Sequence, residues 1–157
     1  DYIIDCIDNL TAKTFLLNEC RTQNLKVITS GGASAKMDPT RIRITDLAKT
    51  VIDPMSHTVR KILRQEYNFP KEKFFNIPCV FSDEQPMEPV ELKYDLGQGF
   101  KCVCPQGENN LHGCLHRNVI YGTASFVTGA FGLAMASWVV RQITETYHAQ
   151  SETKAVQ

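Results

Sequence analysis

The first thirty-two residues constrain the fold more than any other part of the chain. Asp1 to Asn9 is a short apolar run that breaks into a polar turn, the pattern of a brief buried strand. From about Thr11 to Gln23, Ala12, Phe15, Leu16 and Cys20 recur on one helical face, and Asp8 or Asn9 is placed to cap the free amides. Lys26-Val27-Ile28-Thr29-Ser30 is then rich in β-branched residues and ends at Gly31-Gly32, where a backbone can turn sharply or approach a ligand. Strand, helix and strand in this order make a βαβ half-unit. The expected class is therefore α/β, a mixed sheet with flanking helices. The strand opens at the first residue without a polar lead-in, so the sequence reads as starting mid-fold and an upstream portion is expected.

With 157 residues and 43% apolar content, positions 1–157 read as one folding unit or part of one. Arg41 to Leu47 alternates strictly and predicts a half-buried strand. Asp53-Pro54 supplies an N-cap and a first-turn proline for a helix through about Gln65. Met55, Val59, Ile62 and Leu63 share one face of it, while His57, Arg60, Lys61 and Arg64 share the opposite one. That basic face reads either as solvated surface or as a phosphate-binding surface. Arg41 and Arg43, alternating on one side of the preceding strand, extend the second reading to a shared RNA-binding patch.

The formal net charge is zero, so nothing argues for a chain that coats nucleic acid as a whole. Charge is nevertheless segregated. Residues 36–64 hold seven basic and three acidic groups, and residues 65–99 hold three basic and seven acidic ones.

Residues 82–118 are rich in Pro, Gly, Asp, Glu and Asn and predict an irregular loop or lid. Val119 to Val140 then runs for twenty-two residues without a charge, long enough for a membrane span. Gly122, Gly129 and Gly132, with Thr123, Ser125 and Thr128, dilute its apolar content and favour a central, close-packed helix instead. Residues 149–157 read as a frayed polar tail.

No secretory signal opens the sequence, so the six cysteines lack an oxidising context for disulfides. Cys6, Cys20 and Cys79 fall at expected core positions. Cys102-x-Cys104 and Cys114-x-His116, with His112, hold enough ligands for zinc, but single-residue spacers bend poorly around one ion. No cysteine carries a nucleophile motif. Gly31-Gly32 and Gly97-x-Gly99 both lack the remainder of a dinucleotide or P-loop fingerprint.

Asp5-Cys6-Ile7-Asp8-Asn9 followed by Lys13 resembles the strand-end segment of the ubiquitin-activating-like MoeB/ThiF superfamily. Ser30-Gly31-Gly32-Ala33, Asp38-Pro39-Thr40-Arg41-Ile42, Asp46-Leu47-Ala48-Lys49-Thr50, Asp53-Pro54, Cys79-Val80-Phe81-Ser82 and the segment Tyr121 to Gly132 follow in the order of one branch, the tRNA threonylcarbamoyladenosine dehydratases. The resemblance spans nearly the whole chain apart from residues 83–118 and the tail, and it aligns to the C-terminal part of such an enzyme, which implies the second half of a Rossmann-like activating-enzyme domain.

That likeness implies an enzyme that uses ATP and Mg2+ to adenylate the threonyl carboxylate of a modified adenosine in tRNA. The carbamoyl group then closes a ring and AMP leaves. It implies that Asp8 anchors magnesium beside the phosphates and that Asn9, Lys13, Gly31 and Gly32 belong to the nucleotide site, with the glycine-rich ATP turn upstream of Asp1. Lys13 would orient phosphate or pair with Asp8, and Asp5 would cap a helix or hold a neighbouring group. A homodimer, a sulfur-transfer partner protein and a cytoplasmic location, or a mitochondrial one in a eukaryote, are implied as well. A cysteine that such enzymes carry shortly before the last glycine-rich segment has no clear counterpart, since Cys114 is displaced. Two other readings stand beside this one: a non-catalytic tRNA-binding or dimerisation module, and an enzyme adenylating a ubiquitin-like carrier.

Overall fold

The computed structural model describes residues 1–88 and 121–155, with side chains in the last helix described through residue 147. Four strands form one sheet in the order β1 (Tyr2–Asp5), β2 (Lys26–Ser30), β4 (Pro78–Ser82), β3 (Ile42–Asp46). The first three are parallel, with Ile3 beside Val27 and Thr29 beside Cys79. β3 closes the far edge antiparallel to β4, Ile44 facing Val80. The sheet is therefore mixed, as the sequence predicts.

Alternation along the strands splits the core into two layers. Val27, Cys79 and Phe81 face α1 (Leu10–Thr22) and α2 (Pro54–Glu66), packing with Leu17, Cys20, Val59 and Leu63. Ile28 and Val80 point the other way, onto Val127, Phe131 and Met135 of α3 (Ser125–Ala155). Each fully buried side chain of this kind contributes about 1.5–3 kcal/mol, so both layers are needed to hold so short a sheet. The helix starts follow from local chemistry. Asn9 accepts from the Ala12 N–H at 3.0 Å, and Asp53 accepts from the Ser56 N–H at 2.9 Å with Pro54 in the first turn.

Several expectations are corrected. The buried face of α1 is Lys13, Thr14, Leu17 and Cys20, whereas Ala12 and Phe15 are exposed. The helix is turned because Lys13 finds a buried counter-charge, described below. Cys6 is exposed, because β1 ends at Asp5 and leaves it in the following turn. Arg41 ends a 3-10 turn, Pro39–Arg41, rather than lying in β3, so it does not alternate with Arg43 along the strand.

α3 is long and apolar enough to cross a membrane by length and composition, yet one stripe of it packs on the sheet as a layer helix. It is not packed all round. Among the described residues Phe126, Leu133 and Val140 are exposed, and a Cβ at Gly129 or Gly132 would meet nothing within 4 Å. The helix continues to Ala155, through most of the stretch read as a tail.

A candidate nucleotide cleft at the carboxyl edge of the sheet

The parallel strands deliver their ends to one side, and a cleft of about 800 Å³ opens there, a size suited to a small-molecule ligand. Its walls are the turn after β1 (Cys6, Ile7, Asp8), the turn after β2 (Ser30 to Ser34), the first turn of α2, and the residues leading into and along α3. The N-termini of α1 and α2 both abut it through Leu10 and Pro54, bringing positive helix-end potential to one cavity.

The turn after β1 is held from beneath. Asp5, 1% exposed, accepts from Lys13 Nζ at 2.7 Å, from the Thr29 hydroxyl at 2.6 Å and from the Ile7 N–H at 3.0 Å. It caps no helix; it ties β1, α1 and β2 together and fixes the turn that carries Asp8. Lys13 is consumed by this pair and does not reach the cleft, and Asn9 caps α1. Of the residues tied to the nucleotide by resemblance, the structure brings Asp8, Gly31 and Gly32 to the cavity. The Asp8 side chain is exposed and has no hydrogen bond or ion pair among the described residues.

The turn after β2 rests on a second buried carboxylate. Asp53 accepts from the Gly32 N–H at 3.1 and 3.2 Å, from the Ser56 hydroxyl and from the Ser56 N–H, with the buried Lys36 ammonium 3.9 Å away. A Cβ on Gly31 would overlap the Asp53 carboxylate, and one on Gly32 would lie 2.9 Å from it. These glycines are required by the close approach of Asp53 rather than by unusual backbone angles. Burial pushes the Lys36 ammonium below the usual lysine range, against the pull of Asp53 and Glu84. Lys36 also donates to the Ser82 carbonyl at 3.1 Å. The sequence reading missed this Lys36–Asp53–Ser56 network; the signal available was Asp53-Pro54 with Ser56 three residues after the cap.

The basic residues are distributed unevenly. Arg41 and Arg43 both engage Asp83, at 2.8 and 3.4 Å, and their cations are partly neutralised there. The Arg41 hydrogen bond holds the Asp83 carboxyl below the ordinary carboxylate range. On α2, His57 and Lys61 are exposed, Arg60 donates to the Thr50 hydroxyl and Arg64 donates to the Pro70 carbonyl. Burial, then the neighbouring Arg64, lowers the Arg60 guanidinium.

Among the described residues no group of three His, Cys, Asp or Glu side chains could hold a metal. Asp8 alone suits Mg2+ shared with phosphates, which commonly takes one or two protein carboxylates. The Cys102, Cys104, His112, Cys114 and His116 set and Gly97-x-Gly99 lie outside the described residues, as does nearly all of the stretch read as a lid.

A mostly parallel open sheet with a cleft outside its strand ends, beside helix N-termini, defines the class: an α/β protein with the cleft where such sheets hold their ligands. No protein-family model matches the chain. Among known proteins it is 36% identical over 146 residues to the tRNA threonylcarbamoyladenosine dehydratase of Haemophilus influenzae, covering 91% of this chain and 50% of that protein. It is 44% identical over 153 residues to tRNA threonylcarbamoyladenosine dehydratase 2 of Saccharomyces cerevisiae, covering 92% and 31%. The crystal structure of Escherichia coli tRNA N6-threonylcarbamoyladenosine dehydratase, TcdA, in complex with ATP superposes with a TM-score of 0.70 at 28% identity, over 95% of this chain and 50% of that one. The chain is thus homologous to the tRNA threonylcarbamoyladenosine dehydratases, and it spans about half the length of the bacterial relatives it matches.

Proposed function

We propose that this chain is the part of an ATP-dependent tRNA threonylcarbamoyladenosine dehydratase that carries the phosphate-facing carboxylate and an RNA-facing surface. The observation that carries the reading is Asp8: an exposed carboxylate without a partner among the described residues, in the turn that buried Asp5 fixes, lining a cleft beside two helix N-termini. Relatives over these residues are named for this activity, and one such structure holds ATP and another AMP. Mg2+ held between Asp8 and the triphosphate would supply charge neutralisation as pyrophosphate departs. The chain's own residues shape the cleft: Asp53 accepts from the Gly32 N–H and fixes that turn, and the first turn of α2 abuts the same space.

The exposed cations of α2 provide phosphate contacts for tRNA, positioning it without reading sequence. Location follows the substrate, in the cytoplasm or, in a eukaryote, the mitochondrion.

The test uses the full-length protein. Asp8→Asn keeps size but removes the anionic oxygen that a hard cation prefers, so tRNA-dependent pyrophosphate release should fall at least 100-fold while circular dichroism and melting temperature stay as in wild type. Wild-type turnover by this variant would return Asp8 to ordinary solvated surface and favour the reading of a non-catalytic tRNA-binding module.

A further inference from the structure

The loop between α2 and β4 has a use that the cleft does not explain. Phe75 is buried there, edge-on to Phe69 at 4.9 Å, and its N–H donates to Asp46 at 2.9 Å. The Ile77 N–H donates to the same carboxylate, and the Leu47 N–H donates to the Ile77 carbonyl at 2.8 Å. The end of the loop is therefore held at Phe75 and Ile77, and the neighbouring Phe74 is turned outward, 58% exposed.

A single exposed aromatic is ordinary on a protein surface; its surroundings here are not. Lys49 Nζ lies 5.2 Å from the Phe74 ring centroid, and Lys71 and Lys73 are exposed in the same loop. Arg64 lies 5.3 Å from the Phe75 ring and donates to Pro70, which joins this loop to the basic face of α2. From Lys49 to Phe75 six cations, Lys49, Arg60, Lys61, Arg64, Lys71 and Lys73, stand against two exposed carboxylates, Glu66 and Glu72. None of the six makes an ion pair among the described residues.

We propose that Phe74 is a stacking platform for an unpaired tRNA nucleotide, with Lys49, Lys71 and Lys73 receiving the flanking phosphates. The inference deepens the tRNA reading and rests on it. An exposed ring next to an anchored residue, with an excess of cations that make no ion pair among the described residues, is the chemistry that single-stranded nucleic acid selects: a π-face for the base, on the side of the ring away from Lys49, and charge for the backbone. The platform lies at the C-terminal end of α2, about 20 Å from the cleft by the rise of a 13-residue helix. It would thus hold tRNA at a second point, away from the reacting nucleotide.

Stacking and phosphate contact separate by salt dependence. In the full-length protein, Phe74→Ala should weaken binding of unmodified tRNA about 5- to 100-fold with the log–log salt slope unchanged, since no counterion is released by a ring. Phe74→Leu, similarly apolar but without a π-face, should lose as much. Lys49→Ala with Lys73→Ala should instead flatten the slope by about 1.5. Phe74→Trp should retain affinity, and its added fluorescence should be quenched by a single-stranded oligoadenylate and not by an RNA duplex of equal charge. Phe74→Ala binding within twofold of wild type, or quenching as strong with polyglutamate as with oligoadenylate, overturns the platform. If Phe74→Ala is neutral while Arg60→Ala, Lys61→Ala and Arg64→Ala together weaken tRNA, the platform alone falls. If wild type binds no tRNA, the functional reading falls with it.

Discussion

Burying an ammonium group costs several kcal/mol unless a counter-charge meets it, and Lys13 is 2% exposed. Asp5 supplies that charge at 2.7 Å, with Thr29 and the Ile7 N–H satisfying the remaining carboxylate capacity. Lys13→Met should therefore lower stability by about 3–5 kcal/mol, because a buried carboxylate is left without its cation. Asp5→Asn should cost a similar amount, and the double variant should cost clearly less than the sum of the two. Urea unfolding of the three proteins measures this, and strictly additive losses would refute a coupled pair. Gly31 sets a second constraint at the same scale. Gly31→Ala places a methyl on the Asp53 carboxylate and 2.8 Å from the Ser56 hydroxyl, and neither buried group can withdraw. The expected loss is about 1–3 kcal/mol, with ATP affinity reduced as the turn above Asp53 shifts. Calorimetric melting and ATP titration read the two effects, and an unchanged melting temperature would mean that Asp53 yields freely.

At the level of elements, much was legible because local signals and tertiary demands agree. The βαβ start, the alternating β3 and the Asp53-Pro54 opening of α2 all have self-contained chemistry, and they form close to their expected limits. For α1 the periodicity places Cys20 and Leu16 on the core side but wrongly adds Ala12 and Phe15, since it treats Lys13 as polar and outward and cannot register a partner eight residues earlier. Cys6 was misjudged for a related reason: a strand's last residue depends on the turn beyond it. The cleft was half visible. Asp8, Gly31 and Gly32 came from motif resemblance, and the reason for the glycines, a carboxylate twenty-one residues away, exists only in three dimensions. The basic face of α2 was read from spacing alone. Its continuation through Phe74 was not, because it is assembled from the loop, the 3-10 turn at Leu47–Lys49 and the helix.

Among the described residues α3 has two faces and one visible use. Val127, Phe131 and Met135 pack on the sheet, while Phe126, Leu133, Val140 and Ile143 are 52%, 74%, 58% and 52% exposed. With Gly129 and Ala136, these positions alternate spacings of three and four residues along the helix, the repeat that lets two helices lock along a seam. Small residues at Gly129 and Ala136 would admit a partner closely. A second copy of the chain is a natural occupant, because a two-fold axis along such a seam matches each residue with its own kind. We expect a homodimer in which this face of α3 is buried. Leu133→Glu sets a charge at the most exposed apolar position of the stripe, where no described residue packs against it. Sedimentation of the full-length protein should then give the monomer mass for the variant and the dimer mass for wild type at micromolar concentration, with identical circular dichroism. A variant that keeps the dimer mass would move the interface to another face, and a wild type that sediments as a monomer would remove it.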